Sequence, residues 1–264
     1  MLKYLYLFLI AITYFNSEAQ NLVPNFSFEE FVDCPDEVTV YSDKTLIPNW
    51  YLPTRGTSDY FNACTIHQVN VPDNIMGSML ALDGNAYAGL VLIERPPSKV
   101  KMKKPLHYRE YLQSELKQPL KAGMLYSFKF YFSIASYSTY SVNRIGLYVS
   151  KTKEGSRLNS KVIQVKPQIE LDTLDSYIER DYWYQVCDTL RANGGEKYIT
   201  IGNFYDDYNT DIEELDYSIY RGTIQQTIIE NKIAYYYIDV VSVTEVSDST
   251  VNYCDDRYLI KNKD

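Results

Sequence analysis

The stretch Tyr126–Ser136 reads YSFKFYFSIAS. Phe128, Phe130, Phe132 and Ile134 fall on one face of an extended chain, with Ser127, Lys129, Tyr131 and Ser133 on the other. Alternation of period two suits a strand, because an amphipathic helix repeats its apolar residues every three to four positions. The stretch predicts a central sandwich strand with its phenylalanines buried.

Outward from it, segments of the same kind recur at Ser78–Asp83, Ala86–Ile93, Arg144–Ser150, Tyr182–Leu190, Lys197–Phe204 and Ile233–Val243. Clusters of Gly, Pro, Asn and Asp separate them, as turn chemistry requires. LDGNAY (82–87) and ANGGEKY (192–198) read as hairpin connections. In REYLQSELKQPLKAG (109–123), Leu112 and Leu116 have helical spacing, but Pro119 and Gly123 cut the segment short, so a strand is expected. Glu94–Arg109 and Asp206–Lys232 read as insertions, the second holding a short helix. Many short strands without strand–helix alternation predict an antiparallel two-sheet jelly-roll β-sandwich with long loops. The expected organisation is one domain over 20–246, then a polar tail over 247–264.

The N-terminus reads as a leader. Lys3 precedes an apolar run from Tyr4 to Phe15, and Ser17-Glu18-Ala19 fits a small-x-small cleavage site. Residues 1–19 are therefore expected to be a signal peptide, with Gln20 the first mature residue; the alternative is a short N-terminal anchor. The run is shorter than the roughly 20 apolar residues of a membrane span. The expected location is exported: secreted, periplasmic or associated with the outer membrane. The net charge of −8 is unchanged by cleavage, since Lys3 and Glu18 cancel. So acidic a chain repels nucleic acid and anionic lipid, which disfavours both as partners. Its 27 tyrosines, against 2 Trp and 2 His, point to strands with aromatic faces.

Four cysteines, Cys34, Cys64, Cys187 and Cys254, lie in a chain read as exported, and no C-x-x-C spacing suggests zinc. Four cysteines allow three connectivities. Cys34 and Cys64 flank one loop and are expected to pair, leaving Cys187 and Cys254 for each other. Closing the first loop is worth roughly 3.5–4 kcal/mol on the chain-entropy account.

Several phrases together carry a family resemblance: NLVPNFSFEEF (21–31), PNWYLPTRGTSDYFNAC (48–64), GNAYAGL (84–90), GGEKYITIGNF (194–204) and YYYIDVVSV (235–243). They resemble exported surface proteins of gliding-type bacteria, in which such a module often precedes an OmpA-like peptidoglycan-binding domain. The two ends also resemble the galactose-binding-like jelly-roll superfamily, home to many carbohydrate-binding modules. That superfamily commonly has Gly where this chain has Phe26, and a second Asp where it has Val240. With the chain ending at Asp264, peptidoglycan anchoring is not expected to carry over. The resemblance implies that the first and last strands lie side by side and that Glu29 and Asp239 help hold a structural calcium ion. Two carboxylates with loop carbonyls can supply the six to eight oxygens calcium takes. The other reading of these residues puts Glu29 in solvent and Asp239 on a neighbouring backbone N–H.

A glycosidase would need two carboxylates about 5–10 Å apart across a cleft. Glu29-Glu30, Asp206-Asp207 and Glu213-Glu214 are the candidate pairs, but no nucleophile or metal-hydrolase motif accompanies them. His67 and His107 sit in loop-like sequence without an evident partner. Sugar binding by a jelly roll calls for exposed rings, and Trp50, Trp183, Tyr51, Tyr60 and Tyr182 are the platform candidates; the competing fate of each Trp is the core. The expected function is a non-catalytic binding module for carbohydrate. A structural or adhesion protein contacting a protein partner comes second, and a glycoside hydrolase third.

Overall fold

The computed structural model describes residues 20–38, 47–95, 107–156, 158–171, 179–216, 232–247, 251–254 and 260–261. The signal peptide, the Pro-rich part of the first insertion and the helix expected within the second lie outside them.

In chain order the first strands are β1 (Trp50–Tyr51), β2 (Asp59–Asn62), β3 (Asp73–Asn74), β4 (Gly77–Ser78) and β5 (Ala86–Arg95). Next come β6 (Tyr111–Glu115), β7 (Leu125–Ile134), β8 (Tyr140–Val142), β9 (Ile145–Ser150) and β10 (Ile169–Leu171). The last are β11 (Tyr182–Arg191), β12 (Tyr198–Gly202), β13 (Ile212–Glu214), β14 (Lys232–Val246) and β15 (Ile260–Lys261). One sheet has the order β1-β6-β12-β9-β10 and the other β15-β11-β7-β14-β5-β2, every pairing being antiparallel. This is an all-β, two-sheet jelly-roll sandwich.

The core lies between the sheets. Phe128, Phe130, Phe132 and Ile134 of β7 meet Leu112, Ile145, Leu147, Val149, Ile199 and Ile201 from the opposite sheet. Strand β7 is central, as its alternation requires. Its other face is also covered: Ser133 is fully buried and Tyr131 partly so. The six-stranded sheet is therefore covered on both sides in this region. In β14, Tyr236 and Ile238 face the sandwich core, whereas Tyr235 and Tyr237 pack outward with Phe61, Tyr87 and Trp183.

Two expected hairpins are not hairpins. Strand β4 stops at Ser78 and pairs with β3, so the Asp83-Gly84-Asn85 turn leads into β5 from a loop. The Asn-Gly-Gly segment joins β11 to β12, which belong to different sheets. Turn chemistry marks where the chain reverses; which sheet receives it depends on which face must be buried. NLVPNFSFEEF likewise forms turns rather than a strand, with Asn25 (φ 45°) and Phe28 (φ 63°) in left-handed backbone conformations. It still lies against the last long strand. Leu22 N donates to Val243 O (2.8 Å), Val241 N to Phe26 O (2.8 Å), and Asn21 bonds both Val241 and Val243.

Both disulfides form as expected. Cys34 pairs with Cys64 at a Cα separation of 6.0 Å, and Cys187 with Cys254 at 5.5 Å. The second ties the tail to β11, where Tyr182 and Trp183 pair with Lys261 and Ile260. Such bonds suit an oxidising compartment. No helix among the described residues is long and apolar enough to cross a membrane.

Candidate functional site

The two ends of the chain meet at the loop Leu82–Asn85. Asp239 is fully buried; its Oδ2 accepts the N–H groups of Leu82 (2.9 Å) and Asp83 (3.1 Å), and its Oδ1 that of Val240 (2.7 Å). Glu29 Oε1 accepts Asn85 N–H (2.8 Å). The Glu29 carboxyl fills the place of an absent side chain at Gly84: a Cβ there would lie 2.3 Å from Glu29 Cδ, and Gly84 has φ +69°. Burial pushes the Asp239 carboxyl well above its ordinary value, and the three N–H donors oppose that shift. Backbone N–H dipoles thus face both carboxylates. Among the described residues no three His, Cys, Asp or Glu side chains are grouped to hold a metal. The hydrogen bonds tie the N-terminal turn and β14 to one loop.

The candidate carboxylate pairs have local roles. Asp206 Oδ1 accepts the N–H groups of Tyr208 and Asn209 (3.0 Å each). Asp207 meets the fully buried Arg109 guanidinium at 2.9 Å, and Arg109 also donates to Tyr205 O. His107, which shows no partner in sequence, accepts Asp207 N–H at Nδ1 (3.2 Å) and packs on Tyr208. Glu213 and Glu214 are exposed on β13. Arg109 and Glu110 were not legible as a constellation. They stand next to each other just before β6, and apart from Tyr108 their partners come from other segments: Val91 and Thr57 for Glu110, Tyr205 and Asp207 for Arg109. Glu110 is buried and accepts Tyr108 OH (2.5 Å), Val91 N–H (2.7 Å) and Thr57 N–H (3.1 Å).

Of the platform candidates, three are core. Trp50 packs on Phe28 and donates its Nε1–H to Asn25 O (2.9 Å). Trp183 donates to Leu80 O (3.0 Å), and Tyr60 to Phe28 O (2.9 Å). Tyr182 is half-buried where β11 meets β15. Tyr51 alone reaches an open sheet face. Since Trp50 points inward, period two turns Tyr51 outward.

That face belongs to the five-stranded sheet. Leu112, Ser114, Ile199, Ile201, Leu147 and Val149 point inward or are buried there. Gln113, Glu115, Tyr198, Thr200, Tyr148 and Ser150 therefore point out. Register aligns Tyr51, Gln113, Thr200 and Tyr148 in one row, and Glu115, Tyr198 and Ser150 in the next. The segment 151–168 crosses this face. Gln113 Nε2 donates to Thr200 Oγ1 (2.9 Å) and Glu154 O (3.4 Å), and both side chains are buried. Further along, Tyr111, Ile163 and Phe204 form an apolar plug, with Ile163 N–H bonded to Tyr111 Oη (3.0 Å).

The crossing segment leaves one end open. There Tyr51 and Tyr198 flank the Lys153 ammonium, which lies 4.1 Å from the Tyr51 ring centroid and 6.0 Å from that of Tyr198. A cation over an exposed ring is worth about 0.5–1 kcal/mol, little enough for a ligand to displace. Glu115 is ion-paired with Lys197. The Lys197 hydrogen bond holds the Glu115 carboxyl below its usual value, with Tyr198 and Lys153 adding to the effect. Partial desolvation and the same carboxylate raise the Tyr198 hydroxyl. Sequence reasoning missed Tyr198. Its signal was present in KYITIGNF, where inward Ile199 and Ile201 force Tyr198 outward.

No family model matches the chain, and no curated protein matches it. Among solved structures, it is similar to a cleaved adhesin domain of Lys-gingipain from Porphyromonas gingivalis, at 14% identity and a TM-score of 0.36, over 84% of this chain and 96% of that one. It is similar to the carbohydrate-binding module TmCBM61, solved with β-1,4-galactotriose, at 11% identity and TM-score 0.36, over 86% and 100% of the two chains. It is also similar to the α-L-arabinofuranosidase MgGH51, at 9% identity and TM-score 0.41, over 85% of this chain and 26% of that one. The chain thus spans about a quarter of the arabinofuranosidase. Carbohydrate-binding modules and adhesin domains are its structural neighbours, and likeness at this level is a likeness of β-sandwich architecture alone.

Proposed function

We propose that the protein is an exported, non-catalytic binding module that takes carbohydrate on the open end of its five-stranded sheet. The observation that carries this reading is the pairing of two outward tyrosine rings, Tyr51 and Tyr198, with hydrogen-bonding groups on Glu115 and Lys197. Rings supply stacking area and the polar groups fix orientation, the combination small-ligand sites use. The crossing segment shortens the platform, so it suits one or two sugar rings rather than a long groove. Resemblance to exported surface proteins of gliding-type bacteria supports a place at the outer envelope. A protein partner is the second reading, favoured by Phe26, Phe31 and Val32, which are exposed around the N-terminal turn.

A glycan array probed with the chain from Gln20 onward tests the first reading. Binding should weaken roughly tenfold in Tyr51→Ala and in Tyr198→Ala, as loss of an aromatic anchor does. Glycan binding indifferent to both substitutions would remove the site, and absence of glycan binding would favour the protein partner.

A further inference from the structure

We infer that the saccharide taken by this site is anionic, its carboxylate or sulfate group meeting the Lys153 ammonium. The inference rests on the proposed function and specifies its ligand class. Lys153 is exposed, and among the described residues it takes part in no ion pair; its described contacts are the faces of Tyr51 and Tyr198. The carboxylate nearest in function, Glu115, is already committed to Lys197 and to the Tyr198 hydroxyl. Lys151, at the end of β9, is exposed one residue beyond Ser150, which pairs with Tyr198 in register. Glu196, which precedes Lys197, is buried, with its oxygens accepting Asn193 N–H (2.9 Å) and Gly194 N–H (2.8 Å), and Glu154, next to Lys153, is half-buried on the segment whose backbone meets Gln113. The open end thus presents the Lys153 ammonium, in no ion pair among the described residues, beside two rings.

The chain as a whole carries −8, which opposes an acidic ligand at long range. Screening limits that opposition: at physiological ionic strength the Debye length is about 8 Å, so charges across the sandwich count for little against groups in contact. Lys153 also occupies the ring face on which a sugar would stack. Its long stem lets the ammonium swing aside as the sugar arrives, and an acidic substituent on that sugar gives it a new partner. A neutral sugar displaces Lys153 without offering one. Lys153 is therefore the residue that sets specificity between acidic and neutral ligands.

Affinity electrophoresis of the chain from Gln20 onward tests this, with gels containing polygalacturonate, alginate or dextran sulfate. Fully methyl-esterified polygalacturonate, β-1,4-galactan and xylan serve as neutral probes. At least one acidic polymer should retard the protein, tenfold or more above the methyl ester, and raised salt should weaken that binding. Lys153→Met should abolish the preference and Lys153→Arg preserve it, with the melting midpoint of each variant unchanged. Neutral polymers bound as well as acidic ones, with sensitivity to Tyr51→Ala, would leave the site standing and overturn the inference. Acidic binding that survives both Tyr51→Ala and Lys153→Met would place it elsewhere and overturn the inference as well. Retardation by none of the polymers would overturn the carbohydrate reading itself, and the inference with it.

Discussion

Both sheets carry tyrosines on their outer faces, yet the two faces have opposite fates. On the six-stranded sheet, residues 63–82 fold over Tyr87, Tyr235, Tyr237 and Trp183, and all four are almost wholly buried. Each polar tip finds a partner: Tyr87 Oη donates to Met79 O (3.0 Å), Tyr237 Oη to Asn74 Oδ1 (2.8 Å), and Tyr235 Oη to Asp59 Oδ2 (2.5 Å). On the five-stranded sheet, segment 151–168 buries Gln113 and Thr200 and plugs the Tyr111 end, but leaves Tyr51 and Tyr198 half-exposed. A ring on an outer face is therefore not in itself a sign of a ligand surface. What matters is whether a crossing segment brings apolar area for the ring and an acceptor for the hydroxyl.

The comparison breaks first at the covered face. Trp183→Ala should cost about 3–5 kcal/mol in a urea melt, through lost burial and an unfilled cavity. A loss below about 1 kcal/mol would show residues 63–82 to be a loose cover. Phe130→Ala, on the sandwich side of the same sheet, should cost about as much. Opening the Cys34–Cys64 loop by a double serine substitution should cost roughly 3.5–4 kcal/mol, and a midpoint unmoved by it would deny the bridge any part in stability.

A smaller effect concerns Asp239, where burial holds the carboxyl above the ordinary 3.8. The folded chain then binds this proton more tightly than the unfolded chain. That contribution is complete below the unfolded value and is lost as pH rises through the folded one. Wild type should accordingly lose stability relative to Asp239→Asn as pH climbs from about 4, near the unfolded aspartate value. A difference flat across pH would contradict the raised carboxyl. Backbone N–H compensation also predicts the same melting midpoint in excess chelator and in millimolar calcium. A midpoint rising with the logarithm of calcium would instead show a bound ion.

The smallest expected effect is at the open face. Tyr198→Ala should change stability by no more than about 0.5 kcal/mol, as surface substitutions do. A loss near that of Trp183→Ala would mean that the open end is part of the packing.

Much of the fold was legible because burial imposes period two. Strands β5, β7, β9, β11, β12 and β14 fall where alternation put them, and β6 resolves the helical spacing of Leu112 and Leu116 in favour of a strand. The disulfides were legible because few pairings were open. The candidate site was legible only in part. Trp50 and Tyr51 are adjacent and equally aromatic, and alternation alone says that they face opposite ways without saying which way is out. The grouping of His107 and Arg109 with Asp207 was missed because the two sides come from segments about 100 residues apart.

The sequence by itself determined most of the long strands, the two-sheet class and the disulfide partners, whereas the meeting of residues 21–30 with the last long strand was implied only by the family resemblance. Local periodicity and a short list of chemically able partners carry those conclusions. Only the tertiary structure decided which tyrosines are covered, that Glu29 and Asp239 meet backbone N–H groups at one loop, and that Lys153 rests on Tyr51. The physical reason is that exposure and charge pairing are properties of what lies across a face. On both sheets that cover comes from a segment whose own sequence has no period to announce where it will lie.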